Sequence, residues 1–118
     1  MGRLTTHVLD TATGKPAAGM EIEFLEANAD GGWTHRAILL TNADGRTDQP
    51  VMAADNFRTG RFQLRFHVGA YFRKAGVALA DPPFLDIVPV HFGITGAGEH
   101  YHVPLLCSPF SYSTYRGS

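Results

Sequence analysis

Arg61-Phe62-Gln63-Leu64-Arg65-Phe66-His67-Val68 is the stretch that decides the fold. Successive side chains of an extended segment point to opposite sides of a sheet, so Phe62, Leu64, Phe66 and Val68 share one face while Arg61, Gln63, Arg65 and His67 share the other. That pattern predicts a strand with one side buried. Upstream, Met20, Ile22 and Phe24 alternate with Glu21 and Glu23 in the same way, and residues 4–10, 34–41, 85–92, 101–107 and 111–115 are further strand candidates. Thr13-Gly14-Lys15-Pro16, Asp30-Gly31-Gly32, Asn42-Ala43-Asp44-Gly45 and Thr59-Gly60 supply turn chemistry at intervals that suit short strands. About seven or eight strands result. Only from Tyr71 to Leu79 do apolar residues recur at helical steps, which predicts one short helix, ended by Asp81-Pro82-Pro83 because proline lacks an amide proton and pushes its predecessor out of helical geometry. Pro89 puts its strand at an edge or a bulge. The fold expected is all-β with one short helix, a two-sheet antiparallel β-sandwich.

The 118 residues read as a single domain over residues 1–118, large enough to bury a core without metals or disulfides. Cys107 is the only cysteine and cannot form an internal bridge, and no secretory signal is evident, so the cytoplasm is the expected compartment. A net charge of −1 with scattered acids and bases argues against nucleic acid, and no stretch approaches the ~20 apolar residues of a membrane span.

Three segments carry residues beyond what packing needs: Leu4-Thr5-Thr6-His7-Val8-Leu9-Asp10, Gly45-Arg46-Thr47 and Tyr101-His102-Val103-Pro104. His7, in mid-strand, either satisfies a core hydrogen bond or points into a cavity. Arg46 follows a turn glycine and is either a surface charge or a fixed clamp for an anion or carbonyl. His100 and His102 share a strand face, which invites a metal reading, but no cysteine pair or His-Glu-x-x-His helix accompanies them; His102 is read as an acid or base and no metal or cofactor is expected. His35, His67 and His91 have no convergent partner in the sequence and are read as structural. Cys107, in the apolar run Pro104-Leu105-Leu106-Cys107, reads as a buried inert thiol. The final residues alternate hydroxyl and aromatic side chains up to Tyr115-Arg116-Gly117-Ser118, and such a terminus either is a solvated tail or brings a guanidinium, a hydroxyl and a carboxylate into a fixed site.

Together LTTHVLD near the start, GRT after the third turn, YHVPLLCSP late and YSTYRGS at the end resemble the 5-hydroxyisourate hydrolases, the transthyretin-like proteins of urate breakdown. The likeness runs from Leu4 to Ser118. Transthyretin carriers share the fold and the Ser-Pro and Tyr-Ser-Thr context but lack the terminal tetrapeptide and the histidine pair. The resemblance implies an eight-stranded sandwich with one helix, a homotetramer built as a dimer of dimers with sites between the dimers, and 5-hydroxyisourate as the small-molecule substrate. It implies His7, Arg46, His102 and Ser118 as catalytic residues, with Tyr115, Arg116 and Gly117 completing the substrate pocket. Opening a cyclic amide requires water to attack a carbonyl, so a neutral histidine is the natural base, and either His7 or His102 could serve. Arg46 suits the negative charge that collects on the carbonyl oxygen. Arg116 would clamp another substrate oxygen, and Ser118 would hold a histidine in its productive tautomer. The rival readings are a transthyretin-type carrier without catalysis and, further off, an adhesion or carbohydrate-binding sandwich. Cys107 stands where the family usually has an aliphatic residue, and the glycine-rich loop 93–98 leaves the mobility before His102 open.

Overall fold

A computed structural model describes residues 2–117. Its strands are β1 (Arg3–Asp10), β2 (Lys15–Pro16), β3 (Glu21–Ala27), β4 (Trp33–Leu40), β5 (Met52–Ala53), β6 (Gly60–His67), β7 (Ile87–Ile94), β8 (His100–Cys107) and β9 (Tyr112–Thr114), with one α-helix, α1 (Val68–Lys74), between β6 and β7. One sheet runs β2-β1-β8-β9 with β5 added beside β1; the other runs β4-β3-β6-β7. The two pack face to face over the apolar sides that the alternation marks. Phe62, Leu64 and Phe66 of β6 are fully buried, as are Ile22 of β3 and Leu4 and Val8 of β1.

The sandwich departs from an all-antiparallel plan in one place. β1 and β8 pair in parallel, with Thr5 opposite His102 and His7 opposite Pro104. Parallel partners need a long crossover rather than a hairpin, and here the whole second sheet lies between them in sequence. Pro89 sits on β7, the outer strand of its sheet, where a missing amide proton costs no ladder bond.

The helix begins and ends earlier than the apolar spacing predicts. Gly76, at φ +91°, follows its last turn; Val77 N–H donates to Phe72 O at 3.0 Å and Gly76 N–H to Arg73 O at 3.1 Å. This is a Schellman closure, so a glycine stops the helix before the prolines are reached, leaving Ala78 and Leu79 outside it. The outer face of β6 also differs from expectation, since Gln63 is 2% exposed and lies opposite Leu25, itself 4% exposed.

Two tertiary hydrogen-bond sets hold segments near the site. Asp10, buried at the end of β1, accepts from Ala12 N–H and Thr13 N–H through Oδ1 and from the Tyr71 hydroxyl of α1 through Oδ2 at 2.9 Å. Burial, with that bond, pushes the Tyr71 hydroxyl up to about 12, and burial pushes the Cys107 thiol up to about 12 as well. The loop before β8 is tied by Tyr101, whose hydroxyl accepts from Thr95 N–H at 3.1 Å and Gly96 N–H at 2.9 Å.

Candidate active site

Alternation along β1 turns Leu4, Thr6, Val8 and Asp10 inward and leaves Arg3, Thr5, His7 and Leu9 on the outer face. In β8 the same rule buries Tyr101 and Val103 and leaves His100 and His102 outside. The parallel register then sets Thr5 beside His102 with His7 one step further along, so both histidines belong to one external sheet face rather than to the core.

Arg46 reaches this face through its turn. The Asn42 side chain accepts from Asp44 N–H at 2.9 Å and Arg46 N–H at 3.2 Å, and Asn42 N–H donates to Arg46 O at 2.7 Å. Gly45, at φ +74°, lies so close to β1 that a Cβ there would collide with the Val8 carbonyl; its own carbonyl accepts from Val8 N–H at 2.8 Å. The turn therefore docks on β1, and His7 and Arg46 form a backbone bridge. Arg46 and His102 line one open cleft of about 400 Å³ together with Arg3, Thr5, Thr47 and Asp48. His7 is beside this cleft, not in its lining, yet close enough for its charge to act on His102.

His102 is half-buried, and its Nδ1 is 2.8 Å from the Thr5 hydroxyl oxygen. Burial, the Arg46 charge and the His7 charge hold its imidazole below the usual 6.5, with Thr5 pulling more weakly the other way. A neutral imidazole is therefore the prevailing form at pH 7, which is what proton abstraction requires. Gly117 lies against the opposite flank of the ring, its N–H donating to His102 O at 2.8 Å. A Cβ at Gly117 would sit 2.6 Å from His102 Cδ2, so only glycine lets the backbone come this near.

The remaining site candidates separate. Arg116 donates to Glu99 Oε1 at 3.0 Å and to His100 O at 3.2 Å, and its guanidinium lies 4.0 Å from the centroid of the Tyr101 ring. With Tyr115 it lines another cleft of about 230 Å³, shared with Val90, His91, Phe92 and Tyr101. Within one chain, then, Gly117 joins His102 while Tyr115 and Arg116 do not enter the cleft of Arg46 and His102. Ser118 lies outside the described residues. Among the described residues no three His, Cys, Asp or Glu side chains converge in metal-holding geometry, so His100 and His102 gather no further ligand.

Sequence reasoning passed over Thr5, whose partner is 97 positions away and leaves no local signal. It also missed the partner shared by two structural histidines: His35 Nε2 is 3.1 Å from Glu23 Oε1 and His67 Nε2 is 2.6 Å from Glu23 Oε2. The alternation of Glu21 and Glu23 opposite a histidine-bearing strand was the available hint. His91 stacks on Trp33, their ring centroids 4.8 Å apart.

Comparison with known proteins adds independent support for a family. The profile of the HIUase/Transthyretin family matches residues 4–117. A 5-hydroxyisourate hydrolase 2 from Rhizobium meliloti is 56% identical over 117 residues, covering 99% of this chain and 97% of that protein. The solved 5-hydroxyisourate hydrolase of Klebsiella pneumoniae superposes with a TM-score of 0.81 at 35% identity over 100% of both chains. Sea bream transthyretin, solved in complex with thyroxine, superposes with a TM-score of 0.87 at 32% identity over 98% of this chain and 94% of that one. The backbone is thus common to a hydrolase and a thyroxine-bound transthyretin, and side chains must decide between them.

Proposed function

This chain belongs to the HIUase/Transthyretin family, and from that premise we propose that it hydrolyses 5-hydroxyisourate to 2-oxo-4-hydroxy-4-carboxy-5-ureidoimidazoline, a step of urate degradation. One observation carries the reading: a guanidinium and an imidazole kept neutral at pH 7 line a single cleft, with a second imidazole beside it, in a chain 56% identical to a curated hydrolase.

The chemistry follows from those groups. Water attacks a ring carbonyl while a neutral histidine takes its proton, and negative charge gathers on the carbonyl oxygen. Arg46, permanently charged and fixed on its docked turn, stabilises that oxygen without exchanging a proton. His102 and His7 divide the remaining proton transfers, one receiving the water proton and the other serving the departing ring nitrogen. Gly117 keeps the tail against the His102 ring, and Ser118, next in sequence, is assigned to orienting a histidine. No metal or cofactor enters this scheme.

The active form in this reading is a cytoplasmic homotetramer, a dimer of dimers with sites at the dimer-dimer interface. Supporting it, β7 and β9 end their sheets as outer strands, and Phe84, Phe110, Tyr112 and Tyr115 are exposed. Tyr115 and Arg116, which line a different cleft in the single chain, act as substrate contacts only through such assembly.

A carrier of apolar aromatic ligands suits this cleft poorly. Arg3, Arg46, Asp48 and His102 would each lose water against an apolar surface, at about 1–3 kcal/mol for every polar group left unpaired. The test is optical: urate is oxidised by a uricase and the transient hydroxyisourate absorbance is followed with and without the protein. Accelerated decay is expected; decay no faster than in buffer leaves the carrier reading standing.

A further inference from the structure

Resting on the hydrolase reading, we propose that Thr5 is the positioning residue of the site, holding His102 with its proton on Nδ1 so that Nε2 keeps its lone pair toward the cleft and serves as the general base.

The argument begins with register. Thr5 and His102 are direct partners in the parallel β1–β8 pair, so their side chains project from the same sheet face at the same height. The hydroxyl oxygen of Thr5 lies 2.8 Å from Nδ1. A hydroxyl can donate to a bare Nδ1 or accept from Nδ1–H, and by itself leaves both tautomers open. The base role breaks that tie. Only when Nδ1–H donates to the hydroxyl oxygen is the second ring nitrogen bare and able to take a proton from water, and the 2.8 Å contact commits Nδ1, not Nε2, to Thr5.

With the proton on Nδ1, the other nitrogen is bare. Nε2 has no hydrogen-bond partner among the described residues, and His102 lines the cleft that Arg46 also lines. Gly117 closes the Cδ2 flank of the ring, so the imidazole is clasped between the Thr5 hydroxyl and the tail backbone. A base must be both bare at the right nitrogen and aimed, and these two contacts supply the two conditions. The same arrangement divides labour between the histidines: His102 takes the water proton, Nε2 becoming N–H, and His7, which lacks an equivalent side-chain partner among the described residues, is left for the departing nitrogen.

Thr5→Val removes the hydroxyl at nearly constant shape, and Thr5→Ser keeps it. Thr5→Val should lower kcat about tenfold with KM changed less than twofold, and Thr5→Ser should recover to within about threefold of the parent; the loss is smaller than the roughly hundredfold or more for losing an acid or base outright, because the imidazole itself remains. Thermal unfolding of both variants reports whether the sheet is intact. Independently of turnover, long-range proton-nitrogen NMR on histidine-labelled protein should find His102 protonated on Nδ1 at pH 8, with the tautomers mixed in Thr5→Val. A parent His102 protonated on Nε2, or a folded Thr5→Val with unchanged kcat, overturns the proposal. Should the parent fail to accelerate hydroxyisourate decay, it is the hydrolase reading that fails, and the NMR tautomer still judges the placement of the proton.

Discussion

Gly117→Ala is the most demanding test of how the tail meets the site. A Cβ there lies 2.6 Å from His102 Cδ2 and 3.2 Å from both Cβ and Cγ, about 0.8 Å short of an ordinary 3.4 Å contact at the tightest point. Either the imidazole swings away from the Thr5 hydroxyl or the tail lifts from β8. Lifting sacrifices the Gly117 N–H to His102 O bond of 2.8 Å, worth about 1 kcal/mol net, so global stability should change little. Either way the ring loses one of its two supports, and a misplacement approaching 1 Å costs up to about a hundredfold in rate. We therefore expect a tenfold to hundredfold fall in kcat, read from hydroxyisourate absorbance after urate oxidation, with circular dichroism unchanged. A double-mutant cycle isolates the cause: in a His102→Ala background Cδ2 and Cγ are gone, so Gly117→Ala should add almost nothing. A Gly117→Ala enzyme within twofold of the parent, or effects that add in the double variant, would refute the packing argument.

Three further outcomes follow from the same geometry. Arg46→Ala should leave the fold intact and cut kcat by about a hundredfold to a thousandfold, the range for losing one oxyanion stabiliser; because Arg46 helps hold His102 below its usual value, its removal should also raise the His102 pKa seen by NMR. The acid limb of kcat/KM should fall below pH 6.5, since a base whose pKa is depressed on folding stays neutral, and active, until the pH drops through that lower value; a limb above 6.5 would contradict the direction. Cys107, 1% exposed with a thiol near 12, should resist alkylation at pH 8 in the folded protein and react at once in denaturant, whereas rapid native labelling would place it elsewhere.

Much of the fold was legible because burial on one side of a strand writes itself into every second residue, as from Phe62 to Phe66. The candidate site was legible only as residue types: a mid-strand His7, an Arg46 behind a turn glycine, a His102 in a second strand. The end of the helix was misread because two signals competed, and Gly76, nearer than the prolines, acted first. Gln63 was misread because period-two alternation reports only which side a residue faces, not whether that side is covered.

Local order in the chain therefore determined which segments extend, where they turn and which groups are available for acid-base work. Tertiary structure alone decided which of those groups meet. The β1–β8 register joins Thr5 to His102 across 97 positions, the Gly45 turn docks Arg46 on β1, and the pull of Glu99 and Tyr101 takes Arg116 to another cleft. Pairing between distant strands is set by backbone hydrogen bonds and core fit summed over the whole sheet, and no local window of sequence contains both partners.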